Sequence, residues 1–326
     1  MPTCEQIDQS IKPCLYYLAG GFCKLPLQFR CVEYIKRNEM GLSYSSMNNW
    51  ARCKHKYYLS NIRGLELIDK PVRMLAGSIM SECLDIIHSN VRQEFVWKDR
   101  IFSYMKPIDE EKEGKFNPEL AKITAILRAY EGLSIAEPKG VTQAEWHWQM
   151  DGCPKLHGFM DLTIQGGSIG YEFKYSANPN NYTKFIIEDQ LGTYFLGKEE
   201  CKRITLRTIQ VPSVRPGKGE TEEDFIDRMY QDIRRRPKAY FNDTNYWREE
   251  FDLEKVKEKA LWIAKEIQDA AQRGPKGFYQ NKMACFAPGP CEFLPACETG
   301  VISESVYKQR EKKDKEKTPS ETQVNP

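Results

Sequence analysis

The sequence predicts an α/β fold in which a mixed central β-sheet is flanked by helices, and three observations carry that expectation. From residue 141 the β-rich runs "VTQAEWHWQM", "KLHGFMDLTI" and "SIGYEFKYS" follow one another, parted only by the turn signals "DGCP" and "QGG". A helical stretch at about 182–197 interrupts them, and "RITLRTIQV" supplies a fourth strand beyond it. Helical patterns stand on both sides of this block, so a meander, a helix and a returning strand form one layer with helices over it.

Residues 1–40 carry cysteines and turn signals such as "AGGFCKLP" and are expected to form an appendage. From Leu42, "LSYSSMNNWARCKHKYYLSNIRG" opens with serines suited to an N-cap and continues as a helix. Apolar spacing near 3.6 predicts a second helix over 74–92. The charged stretch from Val96 to Asn117 reads as irregular or peripheral, and a helix follows at about 118–131. Residues 221–236 and 252–273 are helical in pattern. Residues 303–326, ending "KQREKKDKEKTPSETQVNP", form a charged tail expected to be disordered, which leaves 41–300 as the main domain.

A chain of 326 residues with 40% hydrophobic content can bury one sizeable core. Its 48 basic and 46 acidic residues nearly cancel, so any nucleic-acid surface must be a local patch. The start, "MPTCEQIDQSIKPC", has no basic segment followed by an apolar run, and no stretch reaches the roughly 18 apolar residues of a membrane span, so a cytoplasmic location without membrane contact is expected. There is no internal repeat and no GxxxxGK[ST] loop, hence no ATP motor in this chain. Eleven cysteines in a reducing compartment point to metal binding before disulfides, while Cys83, Cys153 and Cys201 read as ordinary buried cysteines.

The chemistry lies in "HGFMDLTIQGGSIGYEFKYS". Side chains two apart on a strand share a face, so Glu172 and Lys174 project together while Phe173 enters the opposite layer. Asp161, near the end of the preceding strand, can be brought beside Glu172. Paired carboxylates repel unless a cation lies between them, and hard oxygen ligands suit Mg²⁺ or Mn²⁺. The lysine suits a scissile phosphate or an attacking water. A Glu-x-Lys tripeptide alone arises roughly once per 300 positions by chance and on an edge strand is a solvated face. Gly158 three residues before Asp161, and Gln190 with Tyr194 sharing a face of the next helix, make it a site.

The set "GFMD", "YEFK" and "QLGTY" resembles the PD-(D/E)XK nuclease superfamily, specifically its RecB-like branch, which includes the AddB nuclease domain, CRISPR-associated RecB-like exonucleases and phage-encoded relatives. The resemblance spans about residues 42–298 and implies a restriction-endonuclease-like core. It further implies that Asp161 and Glu172 bind the metal, that Lys174 is the catalytic lysine, and that Gln190 and Tyr194 form an accessory catalytic motif. Where the family commonly has Gly-x-x-x-His in the early helix, "GSIMSE" places Ser81, a poor ligand. Glu82 beside it and His88 two turns on stand as substitutes; His157, starting a strand, reads as structural.

The cysteine pattern also resembles the family's iron-sulfur staple. Cys285, Cys291 and Cys297 lie six positions apart, and Cys53 occupies the helix where this branch carries its distant fourth cysteine. Four thiolates suit a [4Fe-4S] cluster, with a zinc ion as the alternative because the spacing departs from C-x2-C-x5-C. Closing the loop from Cys53 to Cys285 would remove on the order of 5 kcal/mol of chain entropy from the unfolded state. Cys4, Cys14, Cys23 and Cys31 form a second candidate zinc set, spaced more widely than most zinc knuckles.

For DNA contacts, Arg52, Lys54, Lys56 and Tyr57 in the first helix, and Arg234, Arg235 and Arg236 near Tyr240, combine phosphate-neutralising charge with aromatic faces that stack unpaired bases. The expected function is a metal-dependent deoxyribonuclease, an exonuclease acting on DNA ends or single strands. It would work alone or with a separate helicase, recombination protein or CRISPR adaptation protein. The competing class is a catalytically weak nuclease-like module that binds DNA or a protein, and a third reading makes residues 1–40 a docking segment for a host protein.

Overall fold

The computed structural model describes residues 41–310, apart from 71, 90–96, 106–115, 134, 136–137, 150–154, 183 and 287–288. The N-terminal cysteine set and the tail from 311 lie outside the described residues. In chain order the elements are α1 (Tyr44–Arg52), α2 (Lys54–Tyr57), β1 (Leu65–Leu67), α3 (Val72–His88), α4 (Trp97–Met105), α5 (Pro118–Gly132), β2 (Val141–Trp148), β3 (Leu156–Ile164) and β4 (Ile169–Ser176). There follow α6 (Lys184–Gly197), β5 (Arg203–Gln210), α7 (Glu222–Arg235), β6 (Phe241–Trp247), α8 (Leu253–Gln272), α9 (Leu294–Thr299) and β7 (Tyr307–Gln309). The chain divides into two units.

The larger unit, whose described part is 41–47 and Lys70–Asp269, holds a five-stranded sheet in the order β2-β3-β4-β5-β6. β2, β3 and β4 run antiparallel in succession, with Trp146 opposite Gly158 and Leu162 opposite Tyr171. The β3–β4 turn takes Gln165, Gly166 and Gly167 into the left-handed region, which is why "QGG" marks it. β4 then pairs in parallel with β5, Glu172 opposite Leu206, and α6 is the crossover that a parallel pair requires. β5 and β6 close the sheet antiparallel, Arg207 opposite Asp243.

Helices α3, α5 and α7 bury a common core of Ile79, Leu84, Leu120, Ile126, Phe225 and Ile233. Each apolar side chain so buried is worth about 2 kcal/mol. Local signals set the helix starts. Asn117 caps α5 by accepting from Glu119 N at 2.9 Å with Pro118 in the first turn, and Thr221 caps α7 by accepting from Asp224 N at 3.2 Å. At α1, Ser43 and Ser46 exchange hydrogen bonds, Ser43 N to Ser46 Oγ at 2.8 Å and Ser46 N to Ser43 Oγ at 3.2 Å.

Two expectations change here. The stretch read as irregular contains α4, because Trp97 and Ile101, four apart, bury one helical face beneath the surrounding charges. β6 was not legible as a strand: its middle, "NDTN", is polar and exposed, and only Phe241 and Tyr246 are buried. It is an edge strand, hydrogen-bonded on one side.

The smaller unit, whose described part is Asn48–Asp69 and 270–310, contains α2, β1, α9 and β7. The helix expected as continuous from Leu42 breaks at Cys53, which is extended (φ −160, ψ 115). It resumes as α2 and ends in a π-helical turn over Tyr58–Ile62, with Gly64 at φ +62. β1 and β7 pair antiparallel, Leu65 opposite Gln309, so a strand stands at the start of the stretch read as tail. Leu59, Leu65, Phe293, Ala296 and Tyr307 form this unit's core, with the Phe293 and Tyr307 rings stacked at 5.6 Å.

Candidate active site

β4 runs between β3 and β5, and its alternation sends Glu172 and Lys174 one way and Phe173 the other. The β3–β4 ladder ends at Leu162 and Tyr171. Beyond it the Phe173 amide donates not to a strand carbonyl but to Asp161 Oδ2, at 2.8 Å. A ladder hydrogen bond is thus replaced by a carboxylate, which fixes Asp161 against the backbone of the strand that carries Glu172.

Glu172, 3% exposed, is held from three sides. Gln190 Nε2 donates to its Oε1 at 2.7 Å, Lys174 Nζ donates to the same oxygen, and Tyr194 OH donates to Oε2 at 2.9 Å. Gln190 and Tyr194, one turn apart on α6, are themselves joined, Gln190 Nε2 to the Tyr194 oxygen at 2.7 Å. α6 reaches this position because Trp146 of β2 fills the gap beside it. A Cβ at Gly197 or at Gly158 would lie 2.1 or 2.6 Å from the Trp146 indole, and that ring meets Tyr194 edge-on at 5.7 Å. The glycine of "GFMD" is therefore space for a tryptophan that braces the accessory tyrosine.

Burial, and then the charge of Glu172, hold the Asp161 carboxyl well above the usual carboxylate range. Burial pulls Lys174 down, but the Glu172 and Asp161 carboxylates more than offset it and its pKa is raised overall. Burial and the same Glu172 charge push the Tyr194 phenol up. An excess of buried negative charge is what a divalent cation relieves, and Asp161 with Glu172 is a donor set of the right hardness. Among the described residues no group of three or more His, Cys, Asp or Glu side chains is gathered to hold a metal ion. With two carboxylates, the remaining positions around a magnesium-like ion would go to water and phosphate oxygens.

Four of the five residues expected from sequence, Glu172, Lys174, Gln190 and Tyr194, thus share one hydrogen-bonded cluster, with Asp161 tied to the same strand through the Phe173 amide, but the expected substitutes for Ser81 do not join it. Glu82 accepts from Arg100 Nε at 2.7 Å and Tyr104 OH at 2.8 Å, an arrangement that occupies its carboxylate on α4. His88 is fully buried on the other side of β4, its ring stacked on Phe173 at 5.1 Å, and burial brings its pKa down to about 4. His157 packs over Gly41. The residue that sequence reasoning missed is Asp85, one turn beyond Ser81: its charge bears on Asp161, and it accepts from Gln143 Nε2 at 3.1 Å. The i, i+4 spacing from Ser81 was the available signal. Tyr44 and Tyr182 also border Lys174. Its ammonium is 6.0 Å from the Tyr182 ring centroid, and burial and the charge of Asp189 push the Tyr44 phenol up while Lys174 pulls it down.

Of the residues expected to touch DNA, Tyr57 is 4% exposed and packs edge-on against Trp50 at 5.4 Å, which removes it as a stacking surface. Lys56 pairs with Glu292 at 3.3 Å and Lys54 lies 4.6 Å over the Trp50 ring; Arg52 borders the cysteine cavity described below. Arg235 and Arg236 pair with Asp232 at 2.9 and 2.6 Å, and Arg234 reaches Tyr230 OH at 3.4 Å. These arginines complement the C-terminal end of α7.

In the smaller unit, Cys53, Cys285, Cys291 and Cys297 line one cavity of about 10 Å³ together with Arg52, Lys56 and Phe293. Asn281 N donates to Cys53 Sγ at 3.3 Å. Burial and the neighbouring thiols Cys291, Cys285 and Cys53 push Cys297 up to about 11. The four thiols line this space together, but no three of them are gathered closely enough to hold a metal ion as they stand.

A family model described as the PD-(D/E)XK nuclease superfamily matches residues 41–298. No curated protein matches. Among solved structures, a phage related exonuclease from Haemophilus somnus 129PT is similar at 14% sequence identity, over 60% of this chain and 94% of that chain, with a TM-score of 0.33. No helix among the described residues is long and apolar enough to cross a membrane.

Proposed function

The chain belongs to the PD-(D/E)XK nuclease superfamily, and from that premise we propose that it hydrolyses DNA phosphodiester bonds with a divalent cation, Mg²⁺ or Mn²⁺, held by Asp161 and Glu172. The observation that carries the proposal is the convergence of Lys174, Gln190 and Tyr194 on the Glu172 carboxylate, with Asp161 fixed to the same strand. When bound, the cation supplies Lewis-acid activation of the phosphoryl oxygen and of water. Gln190 and Tyr194 orient Glu172 toward Asp161. Lys174, partly exposed, is the cation of this chain placed to offset phosphate charge in the transition state.

The exonuclease and RecB-like parts of this reading, and its work on DNA ends or single strands, rest on the sequence pattern "GFMD", "YEFK", "QLGTY"; a cytoplasmic setting and pairing with a separate helicase, recombination or CRISPR adaptation protein are proposed from the sequence as well. Cys53, Cys285, Cys291 and Cys297 are proposed to hold a [4Fe-4S] cluster that staples the smaller unit, with zinc as the alternative that metal analysis distinguishes. The basic residues Arg52, Lys54, Lys56, Arg234, Arg235 and Arg236 are retained as proposed phosphate contacts.

A second reading, a nuclease-like module that binds DNA or protein and cuts poorly, is favoured by Ser81 at the family's histidine position and by both Glu172 oxygens already being engaged. End-labelled single- and double-stranded DNA incubated with Mn²⁺ and anaerobically purified protein, wild type against Glu172→Ala, separates the two. Degradation by wild type alone supports the nuclease. DNA binding without cleavage, from protein whose metal content shows the cysteine site filled, supports the second reading.

A further inference from the structure

His88 is a fully buried titratable group of the larger unit that stands outside the carboxylate cluster. Both its ring nitrogens are engaged: Nδ1 lies 2.6 Å from Pro138 O and Nε2 lies 2.8 Å from Tyr130 OH. A carbonyl can only accept, so Nδ1 carries the proton and Nε2 accepts from the tyrosine. The Tyr130 oxygen in turn accepts from Arg207 Nη1 at 2.6 Å. Arg207 is fixed by a two-pronged pair with Asp243, at 2.7 and 2.6 Å, and by Ile135 O at 2.8 Å. Every donor in this line points the same way, from Arg207 on β5 to Tyr130 on α5 to His88 on α3, and the line leaves the imidazole no freedom to turn.

The one face that this fixed ring offers to the sheet lies on Phe173, at 5.1 Å between centroids and 11° from parallel. Tyr171 lies beyond Phe173 at 6.2 Å. Phe173 is the residue whose amide donates to Asp161 Oδ2 at 2.8 Å. From this geometry we propose that His88 is a positioning residue for the cation site: locked by Tyr130 and Pro138, it sets the place of Phe173 and, through that residue's N–H, the aim of the Asp161 carboxylate. The inference deepens the nuclease reading and rests on it. Groups that orient a metal-ligating side chain from outside typically cost ten- to hundredfold in metal affinity when removed.

The test compares wild type with His88→Gln, Tyr130→Phe and Phe173→Leu. Binding of Mn²⁺ to the full chain is followed by its paramagnetic resonance signal, cleavage of single-stranded DNA is measured against Mn²⁺ concentration, and circular dichroism and cooperative melting establish that each variant is folded. Phe173→Leu keeps the amide that bonds Asp161 and removes only the ring. The expected result is Mn²⁺ affinity about tenfold weaker or more in His88→Gln and Phe173→Leu, a smaller shift in the same direction in Tyr130→Phe, and cleavage at saturating Mn²⁺ close to wild type. Folded variants whose Mn²⁺ affinity equals wild type overturn the assignment. Should His88→Gln and Phe173→Leu fail to fold, Tyr130→Phe decides by the same criterion, since it deletes one oxygen. A wild type that neither binds Mn²⁺ nor cuts overturns the nuclease reading itself, an outcome distinct from loss of the His88 assignment alone.

Discussion

Tyr194 OH donates to Glu172 Oε2 at 2.9 Å while Gln190, one turn earlier on the same helix, reaches the other oxygen at 2.7 Å. A hydrogen bond to a buried charge contributes about 1.5–3 kcal/mol. Tyr194→Phe keeps the ring against Trp146 and removes that bond. It is expected to lower kcat/KM on single-stranded DNA by roughly tenfold or more, with the larger part in kcat. Steady-state kinetics against wild type check this.

The raised pKa of Asp161 makes stability depend on pH. Because burial and the Glu172 charge favour its protonated form in the folded state, the folded protein binds more protons than the unfolded chain between the ordinary Asp value of about 3.9 and the raised folded value. The contribution is fully present below that ordinary value and is lost as pH rises through the folded one. Metal-free protein is therefore expected to lose melting temperature across this window. Asp161→Asn should flatten the profile, and added Mn²⁺ should restore stability chiefly at the high-pH end. Thermal melts in chelator and in Mn²⁺ across the pH range decide the point.

Gly158→Ala tests the tryptophan brace. The new Cβ would lie 2.6 Å from the Trp146 indole, which is itself closed in by Gly197. Overpacking of this kind typically costs about 1–3 kcal/mol. A denaturation midpoint shifted by that amount, with activity reduced through Tyr194, is expected; an unchanged midpoint would show that the indole has room to move.

Glu82→Ala is expected to leave metal dependence and cleavage at wild-type level, because Glu82 is engaged by Arg100 and Tyr104. An exposed pair of this sort is worth about 0–1 kcal/mol. A marked rise in the Mn²⁺ requirement would return Glu82 to the cation site.

For the proposed cluster, Cys297→Ser is expected to remove most of the metal and the visible absorption that anaerobically purified protein would carry, and to lower its melting temperature. Iron and zinc analysis of wild type and variant, done side by side, identifies the element as well as the ligand. Full metal retention would exclude Cys297 as a ligand.

The meander and the clustered residues were legible because they depend on short-range rules: alternation along β4 pairs Glu172 with Lys174, and i, i+4 spacing on α6 pairs Gln190 with Tyr194. β6 was not, because an edge strand need bury few side chains, and Phe241 and Tyr246 alone do not alternate. The substitute for Ser81 was sought at Glu82 and His88. The helix turns Glu82 toward Arg100, and His88 lies in the core against Phe173. Only tertiary packing decides which face of α3 meets the sheet. Tyr57, read from composition as a base-stacking surface, lies against Trp50 for the same reason.

Every neighbouring pair in the sheet is also consecutive in the chain, and only β4 with β5 is parallel. β2, β3 and β4 can therefore pair by local search, whereas β5 and β6 must wait until the α6 and α7 segments have been laid across, which are the longer and entropically costlier closures. During refolding, Asp161, Glu172 and Lys174 belong to the early-pairing β3–β4 hairpin and Gln190 and Tyr194 to the late crossover. Hairpin order should thus precede catalytic competence in time, and the lag between strand formation and the return of cleavage measures how long β4 waits for its helix.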